Sequence, residues 1–183
     1  MIVCAGASEQ FSFAKPIGIG LVDSTIALTR LCLECKPEHL LFVGSAGSYG
    51  KLSLLEACVS THARNLEGTA LLQKAYSPLS LNISHHSPYV SRETLPQVVV
   101  NSSNYITADE ALCTEFLAAE CAVENMEFYA VLRVAEMFNI PAFGLFVVTN
   151  YCHKDAHKAF LANHQEAKAR LEFLVHTHWK HLQ

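Results

Sequence analysis

The sequence predicts one α/β domain over residues 1–183, with a mostly parallel central sheet flanked by helices. Short unbroken apolar runs (Leu40-Leu41-Phe42-Val43, Val98-Val99-Val100 and residues 142–148) have the length and composition of strands buried on both faces. Between them lie segments whose apolar residues recur at helical spacing, and crossovers of that length join strands in parallel. A chain of 183 residues suffices for one sizeable core and falls short of two ordinary ones.

In chain order, Met1-Ile2-Val3-Cys4-Ala5 reads as a first strand ending at Gly6, and residues 8–15 as a loop. Gly18-Ile19-Gly20 opens a helix over 22–35. Val22, Ile26 and Leu33 recur near helical spacing, Asp23 and Ser24 suit its first turn, and Lys36-Pro37 closes it. The run 40–43 is a buried strand, and Gly44-Ser45-Ala46-Gly47 follows it directly. Residues 49–96 combine strand-like Ala57-Cys58-Val59-Ser60 with a polar stretch carrying Pro78, Pro88 and clustered Ser and His, which predicts loops and short strands. A strand over 98–101, a helix over 109–119 and a short extended Cys121-Ala122-Val123 come next. The helix over 126–138 is strongly patterned, with Met126, Ala130, Val131, Val134 and Phe138 on one side. The strand 142–148 delivers Thr149 and Asn150 at its C-terminal end, and a last helix runs over 154–180 with a break near Asn163.

Hydrophobic residues make up 51% of the chain, which excludes a disordered one. Charged residues are only 16%, low for a free monomer surface, so an apolar face covered by a second subunit, and hence a homo-oligomer, is expected. A net charge of −4 offers no basic field for a nucleic-acid backbone and points to a small ligand. No basic stretch precedes the first apolar run and no run reaches the length of a membrane span, so neither a leader nor a membrane partner is expected. Seven cysteines, mostly inside apolar segments, fit reduced core thiols and a cytoplasmic location. Cys32 and Cys35 form a C-x-x-C pair with no second pair nearby, which reads as helix packing rather than zinc or redox chemistry. His153 and His157 are spaced i,i+4 without an evident third ligand, so no metal is expected.

In parallel sheets, ligands sit at the C-terminal ends of the strands. Those ends carry Gly6-Ala7-Ser8-Glu9, Gly44-Ser45-Ala46-Gly47, Ser102-Ser103-Asn104-Tyr105 and Thr149-Asn150. Gly44, Ser45, Ala46 and Gly47 can bring backbone N–H groups against a ligand oxygen, and Gly18 and Gly20 can do the same. Glu127 and Glu124 lie near a helix start, and Glu9 at another strand end. Two carboxylates bracketing a glycosidic carbon suit a reaction that develops oxocarbenium charge, one activating water and the other fixing the ribose. Tyr105 can stack on a base, and Asn150 offers both a donor and an acceptor to a purine edge.

These motifs resemble the nucleoside phosphorylase and nucleosidase superfamily. Residues 2–9 resemble its first strand and glutamate-bearing turn, and residues 16–22 its glycine-rich loop entering a helix. Residues 40–47 resemble the strand leading into its GSAG signature. Val123-Glu124-Asn125-Met126-Glu127 resembles its VEME segment with one residue inserted, and residues 140–150 the strand presenting the base-recognising residue. The chain looks like a shortened member, with fewer residues between Glu9 and Gly18. The resemblance implies cleavage of the N-glycosidic bond of a purine nucleoside, in the manner of a purine nucleoside phosphorylase. That is glycosyl transfer with phosphate as co-substrate and no other cofactor. A phosphate-independent nucleosidase and a catalytically impaired nucleoside-binding relative are the alternatives. It further implies that Met126 packs on the sugar, Glu127 binds ribose hydroxyls, Tyr105 stacks on the base and Asn150 meets its N7/O6 edge. Glu9 handles the attacking water in a nucleosidase, and Asn150 favours a 6-oxopurine because an amide donates to O6. Homo-oligomers are implied as well. For an anion, only Arg64 or Arg92 lies in a stretch expected to reach the site.

Overall fold

In the computed structural model, which describes residues 1–90 and 95–182, the two longest apolar runs form the central strands. β3 (Leu40–Ser48) and β8 (Ala142–Tyr151) run parallel, paired from Leu40–Ala142 to Ser48–Tyr151. β4 (Ala57–Arg64) lies antiparallel on the far side of β8, and β6 (Gln97–Asn101) runs parallel to β4. β7 (Cys121–Glu124) runs parallel to β6 and returns antiparallel to the last residues of β3, pairing Glu124 with Gly47. The circuit β3–β8–β4–β6–β7 therefore closes on itself as a distorted barrel. β1 (Ile2–Cys4) adds to the first half of β3, with β2 (Lys15–Pro16) beyond it, and β5 (Asn82–Ser84) adds antiparallel to the end of β4. Parallel pairings predominate, as expected for this mostly parallel α/β sheet. The antiparallel ones fall at β3–β7, β4–β8 and β4–β5.

The strict two-residue alternation of a strand divides the core in two. Leu40, Phe42, Phe146 and Val148 face α1 (Gly20–Cys35) and α4 (Phe128–Phe138), where they meet Leu28, Val131, Leu132 and Ala135. Leu41, Val43, Leu145 and Val147 face α5 (Ala156–His178), where they meet Ala167, Leu171 and Val175. Gly144 has no room for a side chain: a Cβ there would lie 2.8 Å from the Phe128 ring and still closer to Phe146. Gly144→Ala should therefore lower stability by about 1–3 kcal/mol, read as a reduced midpoint in thermal unfolding.

Several boundaries differ from the sequence reading. β3 continues through Gly44-Ser45-Ala46-Gly47 instead of ending before it, because those residues keep pairing with β8 and β7. Its glycines serve close approach rather than a turn: a Cβ on Gly47 would come within 3.0 Å of Asn150 Nδ2 and of Cys152 Sγ. α4 begins at Phe128, two residues later than expected. Asn125 Oδ1 accepts from the backbone N–H groups of Glu127 (2.9 Å) and Phe128 (3.0 Å), capping the helix. The residue read as an insertion thus ties down the backbone at Glu127, the N-cap position of α4. α5 passes unbroken through Asn163 and gives way to a short 3-10 turn at Lys180–Leu182. The middle of the chain also holds a one-turn α2 (Gly68–Leu71), and α3 (Glu110–Ala118) starts on Asp109, whose side chain accepts from Ala111 N. The seven cysteines are free thiols; Cys32 is buried in α1 and Cys35 is exposed. No helix among the described residues is long and apolar enough to cross a membrane.

Candidate active site

At the C-terminal ends of β1, β3, β7 and β8 the chain encloses a cavity of about 270 Å³, near the lower end of the range that holds a small organic ligand. Glu9, Ser45, Ala46, Gly47, Tyr105, Glu124, Met126, Glu127 and Asn150 all line it. Gly18, Gly20 and Gly44, expected at the ligand, are not among the cavity's lining residues. Gly18 donates its N–H to Ala5 O at 3.0 Å, behind the wall. The Gly20 N–H donates to Glu127 Oε1 at 2.9 Å, and a Cβ on Gly44 would lie 3.3 Å from Glu9 Oε2 and 2.9 Å from the Phe42 ring.

Glu9 follows a four-residue turn closed by its own N–H on Gly6 O (2.9 Å). Gly6 and Ala7 both take positive φ, +93° and +53°; the first suits glycine, the second is strained for an alanine. The carboxylate is buried, and Oε1 accepts from Ser45 twice, from its N–H at 3.0 Å and from its hydroxyl. Among the described residues nothing occupies Oε2, which leaves one oxygen of Glu9 for a ligand. The backbone N–H of Ser45 is thereby committed to Glu9 rather than to an anion.

Glu127 is likewise buried, its Oε1 accepting from the Gly20 N–H. Burial pushes its carboxyl up to about 7. The Gly20 N–H opposes that rise and the negative charge of Glu9 adds to it. Glu124 differs in role. Its oxygens accept from Thr107 N (3.0 Å), Thr107 Oγ1 (2.6 Å) and Tyr49 OH (2.9 Å), so it braces the wall and has little capacity left for substrate.

Asn150 owes its direction to a β-bulge. Ala46 pairs with Val148 but Gly47 with Asn150, leaving Thr149 as the extra residue. Asn150 Oδ1 accepts from Thr149 Oγ1 at 3.0 Å and its Nδ2 donates to Tyr151 O at 3.2 Å. One amide hydrogen and one lone-pair direction remain for the cavity. Tyr105 stands at the mouth, 75% exposed.

Ser8 and Ser103, from the strand ends where a site is expected, also line the cavity, as do Ile19, Ile106, Asn125 and the first turn of α5 with Ala156, His157 and Phe160, to which the sequence reading gave no part in this site. His157 and Phe160 carry an i,i+3 signal, and their rings stack at 6.2 Å. His153 points elsewhere, its Nδ1 accepting from Asp155 N at 3.0 Å. Arg64 is spent on Ala119 O and Glu120 and does not reach the cavity. Arg92 lies outside the described residues.

Residues 2–177 match the family model described as "Phosphorylase superfamily". The chain belongs to the phosphorylase superfamily. No curated protein matches it. Among solved structures, the methylthioadenosine/adenosylhomocysteine nucleosidase of Helicobacter pylori, bound to butyl-thio-DADMe-Immucillin-A, superposes with a TM-score of 0.81 at 18% identity over 98% of this chain and 97% of that one. The futalosine hydrolase of Helicobacter pylori gives 0.78 at 20% identity over 94% of each chain. The methylthioadenosine/adenosylhomocysteine nucleosidase of Streptococcus pneumoniae, bound to 8-aminoadenine, gives 0.79 at 16% over 95% of each. These superfamily members are named as nucleosidases and a hydrolase. That corrects the expectations of phosphate as co-substrate and of a purine nucleoside phosphorylase acting as a glycosyltransferase. The cavity agrees with the correction: its described lining contains three carboxylates and neither Lys nor Arg, a poor setting for phosphate.

Proposed function

We propose that this protein is a phosphate-independent nucleosidase, in which water cleaves the N-glycosidic bond of a purine nucleoside. The observation that carries the reading is the meeting of Glu9, Glu127 and Asn150, from separate stretches of chain, on one cavity with neither Lys nor Arg among its described lining residues. The names of the structural relatives support it.

In this reading the oxygen of a water molecule bonds to C1′ as the C1′–N9 bond breaks, and the electron pair leaves with the base. Glu9 Oε2 takes the water's proton, while Oε1 stays tied to Ser45 so that the carboxylate keeps its aim. Glu127 Oε2 accepts from a ribose hydroxyl, Met126 packs on the sugar, and the charge of both carboxylates favours the oxocarbenium-like transition state. Tyr105 stacks on the base. The free N–H of Asn150 donates to O6, which favours a 6-oxopurine. An aspartate there needs its own proton to donate. Asn150→Asp should accordingly shift the kcat/KM ratio of inosine to adenosine towards adenosine by about 10–100-fold, measured as free base released in phosphate-free buffer. An unchanged ratio would remove Asn150 from base recognition.

A homo-oligomer is part of the proposal. Ile19, Tyr105 and Ile106 are exposed and line the cavity, and Val22, Ile26 and Leu33 are exposed along α1. That apolar surface suits burial against a second copy. Light scattering on the eluting protein is expected to give a multiple of 20.2 kDa, and Val22→Glu with Ile26→Glu to reduce it to the monomer.

A further inference from the structure

Helix α5 reaches the site through two adjacent residues that do not line the cavity. Asn163 Nδ2 donates to Thr149 O at 2.8 Å, and Thr149 is the bulge residue just before Asn150. His164 Nε2 lies 2.9 Å from Ser8 O, just before Glu9. A carbonyl only accepts, so the Nε2 nitrogen carries the proton and donates. His164 is only 6% exposed, and its Nδ1 is buried with no partner among the described residues. The ring also packs on Phe160, centroids 4.9 Å apart, and Phe160 lines the cavity.

Each contact is a side-chain donor on a backbone carbonyl, one residue ahead of a side chain that works in the cavity. Thr149 and Ser8 belong to segments far apart in sequence, and neighbouring residues of one helix hold both. The turn before Glu9 needs such a hold, since Ala7 sits at positive φ where an alanine gains nothing by staying. The bulge before Asn150 needs one as well, because its extra residue has no ladder partner on β3. A buried histidine with an orphaned ring nitrogen is an expensive way to fill space. A donor fixed in one direction by ring packing explains its presence.

We propose that Asn163 and His164 are positioning residues: they lock α5 to the Glu9 turn and to the Asn150 bulge together, and so set the placement of the attacking-water carboxylate relative to the base. Only the kinetic consequence rests on the nucleosidase reading; the mechanical one does not.

The test combines amide hydrogen exchange, residue by residue, with steady-state kinetics on the full chain for His164→Phe, His164→Gln and Asn163→Ala. His164→Phe keeps the ring and loses the donor, whereas His164→Gln keeps an N–H donor. We expect His164→Phe to speed exchange of the Glu9 amide at least tenfold and leave Val148, whose N–H bonds Glu56 O, within twofold. In turnover it should lower kcat at least tenfold with KM within threefold, and His164→Gln should recover most of both effects. Asn163→Ala should speed exchange over residues 149–152, spare Glu9 and raise KM. Unchanged exchange at Glu9 in His164→Phe would overturn the proposal, as would His164→Gln behaving no better than His164→Phe. Should His164→Phe fail to fold, the contrast between His164→Gln and Asn163→Ala at Glu9 and at residues 149–152 decides. If the wild-type chain cleaves no nucleoside, the functional reading falls and the exchange pattern still judges the positioning.

Discussion

A Glu9→Gln protein is expected to bind its nucleoside and to cleave it about 10²–10⁴-fold more slowly than the wild type. The substitution is close to isosteric. The amide oxygen can still accept from Ser45 N and Oγ, as Glu9 Oε1 does now, so the turn and the strand end keep their geometry. What disappears is the carboxylate oxygen that takes a proton from water in the proposed mechanism. The loss should therefore fall on kcat, with KM within a few-fold, because water rather than the nucleoside is the partner of that oxygen. A loss confined to KM would place Glu9 on the substrate instead.

The second large effect concerns Glu127, where function and stability oppose each other. Burial raises its carboxyl from the ordinary 4.5 to about 7, so the unfolded chain ionises this group at lower pH than the folded one. Below about pH 4.5 both states are protonated and the group is neutral in its effect. As pH rises towards 7 the unfolded state gives up its proton first, and stability falls. Above 7 the deficit is complete, about 3 kcal/mol for a shift of that size. Glu127→Gln removes it while its side-chain oxygen can still accept from Gly20 N–H. Denaturant unfolding should thus show the variant about 3 kcal/mol more stable than wild type at pH 8 and equal to it at pH 4.5. Turnover should move the other way. On the proposed reading the ionised carboxylate accepts from the ribose hydroxyl, so kcat/KM of the wild type should rise with pH through about 7, and the variant should lose both that limb and most of the activity. A variant no more stable than wild type at pH 8 would mean that Glu127 is already well solvated in the folded chain.

Much of this site could be read in the sequence because the strands announce themselves. The run ending at Val148 had to deliver Thr149 and Asn150 to a strand end, and Leu40-Leu41-Phe42-Val43 had to lead to Ser45. Apolar patterning says where a strand lies, and parallel topology says at which end ligands collect. Glycine is harder to interpret. Gly44 and Gly47 mark close approach inside a continuing strand, and Gly20 a backbone N–H aimed at Glu127; a glycine's letter is the same in a turn, at a crossing or behind a carboxylate. The bulge at Thr149 depends on β3 and β8 registering against each other over their full length, information shared between segments a hundred residues apart. Asn125 looked like an insertion because capping depends on local dihedrals as well as on spacing. His157, Phe160, Asn163 and His164 were obscure for a related reason. α5 is only weakly amphipathic by pattern, and which of its residues faces the cavity is decided by how the helix lies across β8. The fold resemblance itself rested on several weak motifs in the right order, and the family match over residues 2–177 bears it out. The phosphorylase chemistry attached to it did not carry over.

Attack by water rather than phosphate would show in the identity of the sugar product. Purified protein would be incubated with inosine, guanosine, adenosine and methylthioadenosine, each with and without phosphate. Released base and sugar would be quantified against a Glu127→Ala control. At least one nucleoside is expected to give free base and free ribose, or the corresponding 5′-substituted sugar, at equal rates in both buffers, and the control to lose this release. Appearance of a sugar 1-phosphate, with release only when phosphate is present, would contradict attack by water.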